Sequence, residues 1–524
     1  MSHFFPMDGL LENIIPKPLY ANTVEGQPLK IDRFTIIVYD KKFQDQAYYL
    51  SDLVYDQTDI RLRVLPETNF KNEGVYIKIG CPDEGFKHCG MYQIKAYDNV
   101  ISLLAENIEG LVHAIQSLLQ VFPIRKVKSL NISPFLIKDY PRFKYRGMHL
   151  DVSRHFYPLN AIKKYIEYLA HHKFNYFHWH LTDDQGWRIE IKAYPKLTET
   201  GAWRKATLIG HFFDEPALYH EKEYGGFYTQ DEIKEVIEYA QIRGITVVPE
   251  IDIPGHSRAA IAAYPELGTQ PETHYEVATT WGMFNRQNNV LAPREETFKF
   301  IEKVFEEVSE LFPGSFVHIG GDECSKIWWE QSRQAQDFIK KNALKDEKGL
   351  QTYIVNNTAN YLNRLQKKVI AWNDVLEGDA DKSVIIMNWG AEAAAVGALK
   401  KGHQVIATPG KPLYFDHYQK EEKNEPLAIH GYNKLQAVYD FEPVPAEIKG
   451  SHLQQQILGA QGNVWTEYMG TFSKVEYMIF PRMTALSEVL WSAPENRNFK
   501  KFKERLIKNM LSRYKLWGVT YCEP

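Results

Sequence analysis

The feature that most constrains this chain is an alternation of short strand-like and helix-like segments that begins at Tyr145 and continues towards the C-terminus. Strands are expected at residues 145–150, 176–181, 246–251, 316–319, 369–372, 384–388, 404–407 and 458–464; the segment 246–251 is short and apolar, as buried parallel strands are. Between the first two, Ile162, Tyr165, Ile166 and Leu169 fall at i, i+3, i+4, i+7, with Pro158 near the first turn, and Ile233, Val236, Ile237 and Ala240 repeat that spacing. Eight strands alternating with helices predict a (β/α)8 barrel with enlarged loops, residues 140–524. A doubly wound open sheet is the alternative, but no GxGxxG or GxxxxGK[ST] opens any of the helices.

Ahead of the barrel the rhythm differs. Residues 34–39, 75–79 and 91–97 mix β-branched and aromatic residues between Gly, Asn and Asp punctuation, and 108–121 places Leu111, Ile115, Leu118 and Leu119 on one helical face. Several strands under one helix predict a small α+β domain over 14–139, after a tail of residues 1–13. A 44% apolar content supports sizeable cores, and no internal repeat or low-complexity tract interrupts them. The formal net charge of −4 gives no reason for a nucleic-acid or anionic-membrane partner, and no run approaches the roughly 20 apolar residues of a membrane span. The start, MSHFFPMDGLLEN, shows no basic region followed by an apolar one. That leaves a cytoplasmic protein or an extracytoplasmic one whose leader has been removed, and the second is the expectation. Of four cysteines only Cys81 and Cys89 lie close together, which leaves a disulfide between them open; Cys324 and Cys522 read as unpaired thiols.

In a barrel of this kind the chemistry comes from the C-terminal ends of the strands. Here those ends carry Asp151 with Arg154 following, then HWHLTDDQGWR, VPEIDIPGHS, VHIGGDE, AWND, MNWG and QGNVWTE. Trp179, Trp187, Trp372, Trp389 and Trp465 recur there and predict aromatic walls for a ligand pocket. Glycoside hydrolysis ordinarily needs two carboxyl groups, and Asp322–Glu323 is the best-placed pair. Neighbours on a regular strand point to opposite faces, so Gly320 and Gly321 must break the strand if both are to reach one pocket. The plainer alternative is a helix N-terminus, where acidic residues suit the dipole.

HIGGDE at 318–323 resembles the catalytic motif of the β-N-acetylhexosaminidases, family 20 of the glycoside hydrolases. RGMHLDVSRHF, HWHLTDDQGWR, YGGFYT, EIDIPGHS and QGNVWTE resemble that family's blocks in its order, from about Ile14 to GVTYCE. The resemblance implies an exo-acting, retaining enzyme whose substrate, a glycan with terminal N-acetylhexosamine, supplies its own nucleophile through the 2-acetamido group. It implies Glu323 as general acid and base and Asp322 as the group that orients the acetamido N–H and stabilises the oxazolinium ion. It carries Arg146 over as the arginine binding sugar hydroxyls, and Trp372, Trp389 and Trp465 as walls of the pocket. Tyr414 would hold the acetamido oxygen, and Asp416 and Glu467 would bind hydroxyls. Asp183 and His256 would tune the acid, with the adjacent Asp184 as the alternative to Asp183. No metal or organic cofactor is implied.

Two other readings compete with this one. His149, His178, His180, His256 and His318 lie near strand ends and could ligate zinc or iron, but the resemblance accounts for HWH without a metal, and Trp179 and Tyr176 beside it point to packing. An inactive glycan-binding barrel is expected to lack one of the acidic pair, and both are present. A DxxDxDxE strand of the chitinase type is absent.

Overall fold

The computed structural model describes residues 9–71, 74–421, 423 and 425–524; the first eight residues of the predicted tail lie outside that range. The remainder of the tail is anchored. Leu11 is buried, and the carbonyl of Asn13 accepts from Asn509 Nδ2 at 3.0 Å.

Beside a two-stranded pair, Leu29–Asp32 with Ser129–Ile132, the N-terminal unit is built on seven strands: β1 (Tyr20–Thr23), β2 (Ile36–Tyr39), β3 (Arg63–Pro66), β4 (Tyr76–Gly80), β5 (Tyr92–Tyr97), β6 (Val100–Ala105) and β7 (Phe135–Asp139). They form one mixed sheet in the order β1-β7-β5-β6-β4-β2-β3. Two helices cover it rather than the one expected: α1 (Gln44–Thr58) and α2 (Ile108–Val121). Helix α1 escapes a periodicity search because its buried face includes Gln46, Ser51, Gln57 and Thr58 beside Ala47, Leu50 and Val54, which dilutes the apolar stripe. Helix α2 is buried almost all round, because the sheet lies on one side and the barrel on the other.

The eight segments predicted as barrel strands are the eight strands of a closed parallel barrel. They are β8 (Tyr145–Asp151), β9 (Tyr176–His180), β10 (Thr246–Glu250), β11 (Phe316–His318), β12 (Lys368–Trp372), β13 (Ile385–Asn388), β14 (Val405–Ala407) and β15 (Ile457–Gly462). The barrel closes where β15 pairs with β8, Tyr145 opposite Gly459. Helices α3 (Leu159–His171), α4 (Gln230–Ile242), α5 (Glu295–Leu311), α6 (Glu347–Arg364), α7 (Glu392–Lys401), α8 (Leu435–Asp440) and α9 (Arg482–Trp491) return the chain; after β12 a short 3-10 turn, Asn373–Glu377, does so instead.

The period of two along a strand decides which side chains meet the chemistry. On β9, His178 and His180 face the barrel interior, while Phe177 and Trp179 face outward. Phe177 packs on Tyr165 of α3 at 5.6 Å, and Trp179 packs on Tyr228 at 4.7 Å. Trp187 packs on Phe300 of α5 at 6.1 Å. Two of the five tryptophans expected around the pocket are therefore core residues outside it. All four cysteines are free; Cys81 and Cys89 are exposed and unbonded, and Cys324 and Cys522 are buried. No described helix is long and apolar enough to cross a membrane.

Candidate active site

The acidic pair follows β11 in a backbone that leaves the strand abruptly. Gly320 and Gly321 have φ of +68° and +93°, and Glu323 itself has φ of +38°. A Cβ on Gly320 would stand 1.8 Å from Asp252 Oδ1, so position 320 admits only glycine on two counts. The turn brings both carboxylates to one imidazole: His256 Nε2 lies 3.8 Å from Asp322 Oδ2 and 3.6 Å from Glu323 Oε2. Their environments differ. The side chain of Asp322 is 13% exposed and that of Glu323 49%. Burial, with Asp374, Glu323 and Glu250 nearby, pushes the Asp322 carboxyl up to about 7 against the opposing pull of His256. The amide N–H of Glu323 donates to Asp374 Oδ1 at 3.3 Å, and Trp389 Nε1 donates to Asp374 Oδ2 at 2.8 Å.

Behind the pair, His256 Nδ1 lies 2.9 Å from Asp183 Oδ1 and 3.6 Å from Asp184 Oδ2. Asp184 is otherwise engaged, by the Asn289 amide at 2.9 Å and the Arg258 N–H at 3.0 Å. Burial works against charge on Asp183, but Arg154 and His256 prevail and hold its carboxyl well below the usual range. His256 is pulled well above the ordinary imidazole value, its own burial being outweighed by Asp183. The geometry thus places an imidazole, braced by Asp183, beside two carboxyl groups.

The aromatic walls converge from three strands. Trp372, at the end of β12, is fully buried and stands 5.8 Å from Trp465, ring to ring, at 47°. Tyr414 lies 6.3 Å from Trp465, ring to ring, at 58°. Among the described residues, Asp322 Oδ1, Asp416 Oδ1 and Glu467 Oε2 are buried acceptors without a hydrogen-bond partner in the chain. Buried acceptors left unmet are costly, so three of them around an aromatic pocket call for a ligand rich in N–H and O–H donors. Beside Glu323 a groove of about 410 Å³, lined by Phe284, Asn285, Lys326, Glu330 and Asp374 among others, opens to solvent.

Arg146 is not part of this pocket. It sits near the start of β8, at the opposite end of the barrel, where it donates to the carbonyls of Lys173 and Phe143 at 2.9 and 2.8 Å and to Glu109 Oε1 at 2.8 Å. The arginine that faces the pocket is Arg154, just past the end of β8. Its guanidinium contacts Asp183 at 2.9 Å, Asp151 at 3.2 Å and Glu467 at 3.9 Å, and lies 5.1 Å from the Trp465 ring centre. The barrel rule alone favours Arg154, because it lies beyond the strand's C-terminal end and Arg146 does not.

Sequence reasoning assigned no role to Glu250 or Asp374. Glu250, the last residue of β10, points into the barrel and is fully buried. Among the described residues, sets such as His149, His178 and Glu250, or Asp252, His256 and Asp322, bring ligand-type atoms within 4.8 Å of one another and could hold a metal ion. The oxygens of Glu250 are already occupied by N–H donors from Trp372 and His180. A larger cavity of about 480 Å³ lies between the two domains, lined by Tyr49, Glu167, His171, Arg243, Arg513 and others. Its polar groups pair with one another, Glu167 with Arg243 and Arg513 with Gln57.

Comparison with known proteins places these features in a family. The profile described as "Glycosyl hydrolase family 20, catalytic domain" matches residues 143–494, and that described as "Glycosyl hydrolase family 20, domain 2" matches residues 12–140. The chain is 36% identical to a β-hexosaminidase of Porphyromonas gingivalis over 523 residues, covering 98% of this chain and 64% of that protein. It is 42% identical to a β-hexosaminidase of Vibrio furnissii over 404 residues, covering 76% of this chain and 64% of that protein. The chain thus spans less than two thirds of the length of these relatives. Among solved structures it resembles an exo-β-N-acetylglucosaminidase of Vibrio harveyi in complex with N-acetylglucosamine, with a TM-score of 0.85 and 32% identity over 100% of this chain and 79% of that one.

Proposed function

We propose a function on the premise that this chain belongs to glycosyl hydrolase family 20: it is an exo-acting β-N-acetylhexosaminidase that removes terminal non-reducing GlcNAc or GalNAc from glycans with retention. The observation that carries the proposal is the convergence of Asp322 and Glu323 on His256, with Asp322 Oδ1 lacking a hydrogen-bond partner among the described residues.

In the first step the acetamido carbonyl oxygen attacks the anomeric carbon as the bond to the leaving oxygen breaks, and Glu323 gives its proton to that oxygen. An oxazolinium ion results. Asp322 accepts the acetamido N–H and stabilises the positive charge that develops there. In the second step water attacks the anomeric carbon, Glu323 takes its proton, and the ring opens to the free sugar with configuration retained. Holding the internal nucleophile against walls formed by Trp372, Trp465 and Tyr414 lowers the entropic part of the barrier. A buried Asp322 facing that charge stabilises it more than an exposed one would. Arg154, Asp416 and Glu467 would bind hydroxyls of the terminal sugar, and the groove beside Glu323 would take the leaving group.

The test is release of p-nitrophenol from its β-N-acetylglucosaminide and from the β-glucoside that lacks the acetamido group. Cleavage of the first alone is expected. Equal cleavage of both would point to an enzyme nucleophile, and cleavage of neither would remove the assignment.

A further inference from the structure

The Asp322–Glu323 pair does not stand alone in the barrel; behind it runs a chain of buried polar side chains that reaches the barrel interior. Glu323 faces His256, His256 Nδ1 bonds Asp183 Oδ1 at 2.9 Å, Asp183 Oδ2 lies 2.9 Å from His180 Nε2, and His180 Nδ1 lies 2.6 Å from Glu250 Oε2. The other oxygen of the same carboxylate, Oε1, accepts from Trp372 Nε1 at 2.8 Å. Two further imidazole nitrogens, His178 Nε2 and His318 Nδ1, lie 3.0 Å away. We propose that Glu250 is a positioning residue for the reaction, fixing through one oxygen the indole that walls the acetamido pocket and through the other the His180–Asp183–His256 chain that ends at the general acid. The inference rests on the proposed activity.

Proton accounting supports it. Both ring nitrogens of His180 face carboxylate oxygens, which only accept, so both carry hydrogens and the ring is cationic. Burial alone would depress His180, yet Glu250 and Asp183 raise it to about 10. Burial likewise opposes charge on Glu250, and the surrounding imidazoles hold it well below the usual carboxylate range. An anion at this point therefore sets the protonation of His180 and the direction of its bond to Asp183. It also holds Trp372, whose indole N–H donates to Oε1 of the same carboxylate.

A glutamine at 250 keeps the shape but offers one acceptor and one donor. With its oxygen on His180, its amide N–H faces the Trp372 N–H; with its oxygen on Trp372, it faces His180. One arm breaks in either orientation. Aspartate keeps the charge but is one methylene shorter and cannot reach both partners.

Glu250→Gln and Glu250→Asp are to be assayed with GlcNAc-β1,4-GlcNAc, with the 2,4-dinitrophenyl glycoside, which needs no protonation, and with N-acetylglucosamine as competitive inhibitor. A loss of about 10- to 100-fold in kcat/KM on the disaccharide is expected, the scale of a sub-ångström to ångström misplacement. It should come with a weakened inhibitor, reporting the Trp372 arm, or with a smaller loss on the dinitrophenyl substrate, reporting the acid arm. A variant with native circular dichroism and thermal midpoint that turns over within twofold of wild type would overturn the inference. So would a folded variant that loses activity with neither signature. If glutamine prevents folding, the charge-preserving aspartate carries the test. Absence of turnover by the wild type would instead remove the proposed activity, which separates the two failures.

Discussion

Arg146, near the start of β8, and Arg154, just past its end, lie at opposite ends of the barrel, and the contrast between them separates what builds this barrel from what works in it. At the floor, Arg146 is closed off: two backbone carbonyls and Glu109 take its N–H groups, and Trp491 lies 5.3 Å from its guanidinium carbon. Glu109 belongs to α2, so this arginine ties the N-terminal domain to the barrel. At the top, Arg154 faces three carboxylates, and one of them, Glu467, retains a buried oxygen without a hydrogen-bond partner among the described residues. Identical side chains serve a domain joint in one place and an unsaturated polar wall in the other. What differs is the saturation of the partners and the end of the barrel at which they lie.

That contrast makes graded predictions. The largest effect belongs to the top face: Glu323→Gln should lower turnover of an unactivated glycoside by roughly 10²–10⁴, with much less loss on a leaving group that needs no protonation. Equal loss on both substrates would take the acid role from Glu323. Arg154→Met should cost on the order of 10² in kcat/KM, because Asp183 and Glu467 lose their shared cation and the sugar loses a donor. A variant within a fewfold of wild type would place Arg154 with the floor residues. A subtler effect is expected of Asp374→Asn. Asp374 is one of the charges raising the Asp322 carboxyl, which the proposed mechanism requires ionised; without it that carboxyl ionises at lower pH, so the acid limb of the kcat/KM profile moves to lower pH. An unmoved limb would separate Asp374 from Asp322. Smallest in turnover and different in kind is Arg146→Met. It should leave kcat/KM of the folded protein unchanged while lowering unfolding stability by about 3 kcal/mol, since Glu109 then stays partly buried without its cation. A chemical denaturation curve beside the assay reads both, and a large loss of kcat/KM at unchanged stability would erase the contrast.

The eight barrel strands were legible because most are compact, largely apolar runs that alternate with amphipathic helices, and a parallel strand buried on both faces has little choice of composition. The turn at Gly320–Gly321 was legible for a similar reason, since neighbouring acids can share a pocket only where the backbone breaks. Four features were not legible. Helix α1 hides because a face buried by hydrogen-bonded Gln, Ser and Thr carries no hydrophobic period. Trp179 and Trp187 mislead because nearness to a strand end says nothing of which face a side chain takes; alternation from His178 and His180 would have sent Trp179 outward. Arg146 was matched within RGMHLDVSRHF by motif, although the same block holds a second arginine beyond the strand. Glu250 gave no signal of its own, because its partners come from β9, β11 and β12 and meet only when the barrel closes.

The most direct test of the central claim concerns the nucleophile itself. Fluorine on the N-acetyl group withdraws electron density from the carbonyl oxygen and leaves the rest of the sugar unchanged. With p-nitrophenyl N-acetyl-, N-fluoroacetyl-, N-difluoroacetyl- and N-trifluoroacetyl-β-glucosaminides, kcat should fall at each added fluorine if that oxygen attacks the anomeric carbon beside Asp322. A kcat that stays level across the series would mean that a group of the protein is the nucleophile, and would contradict the assignment of Asp322 and Glu323.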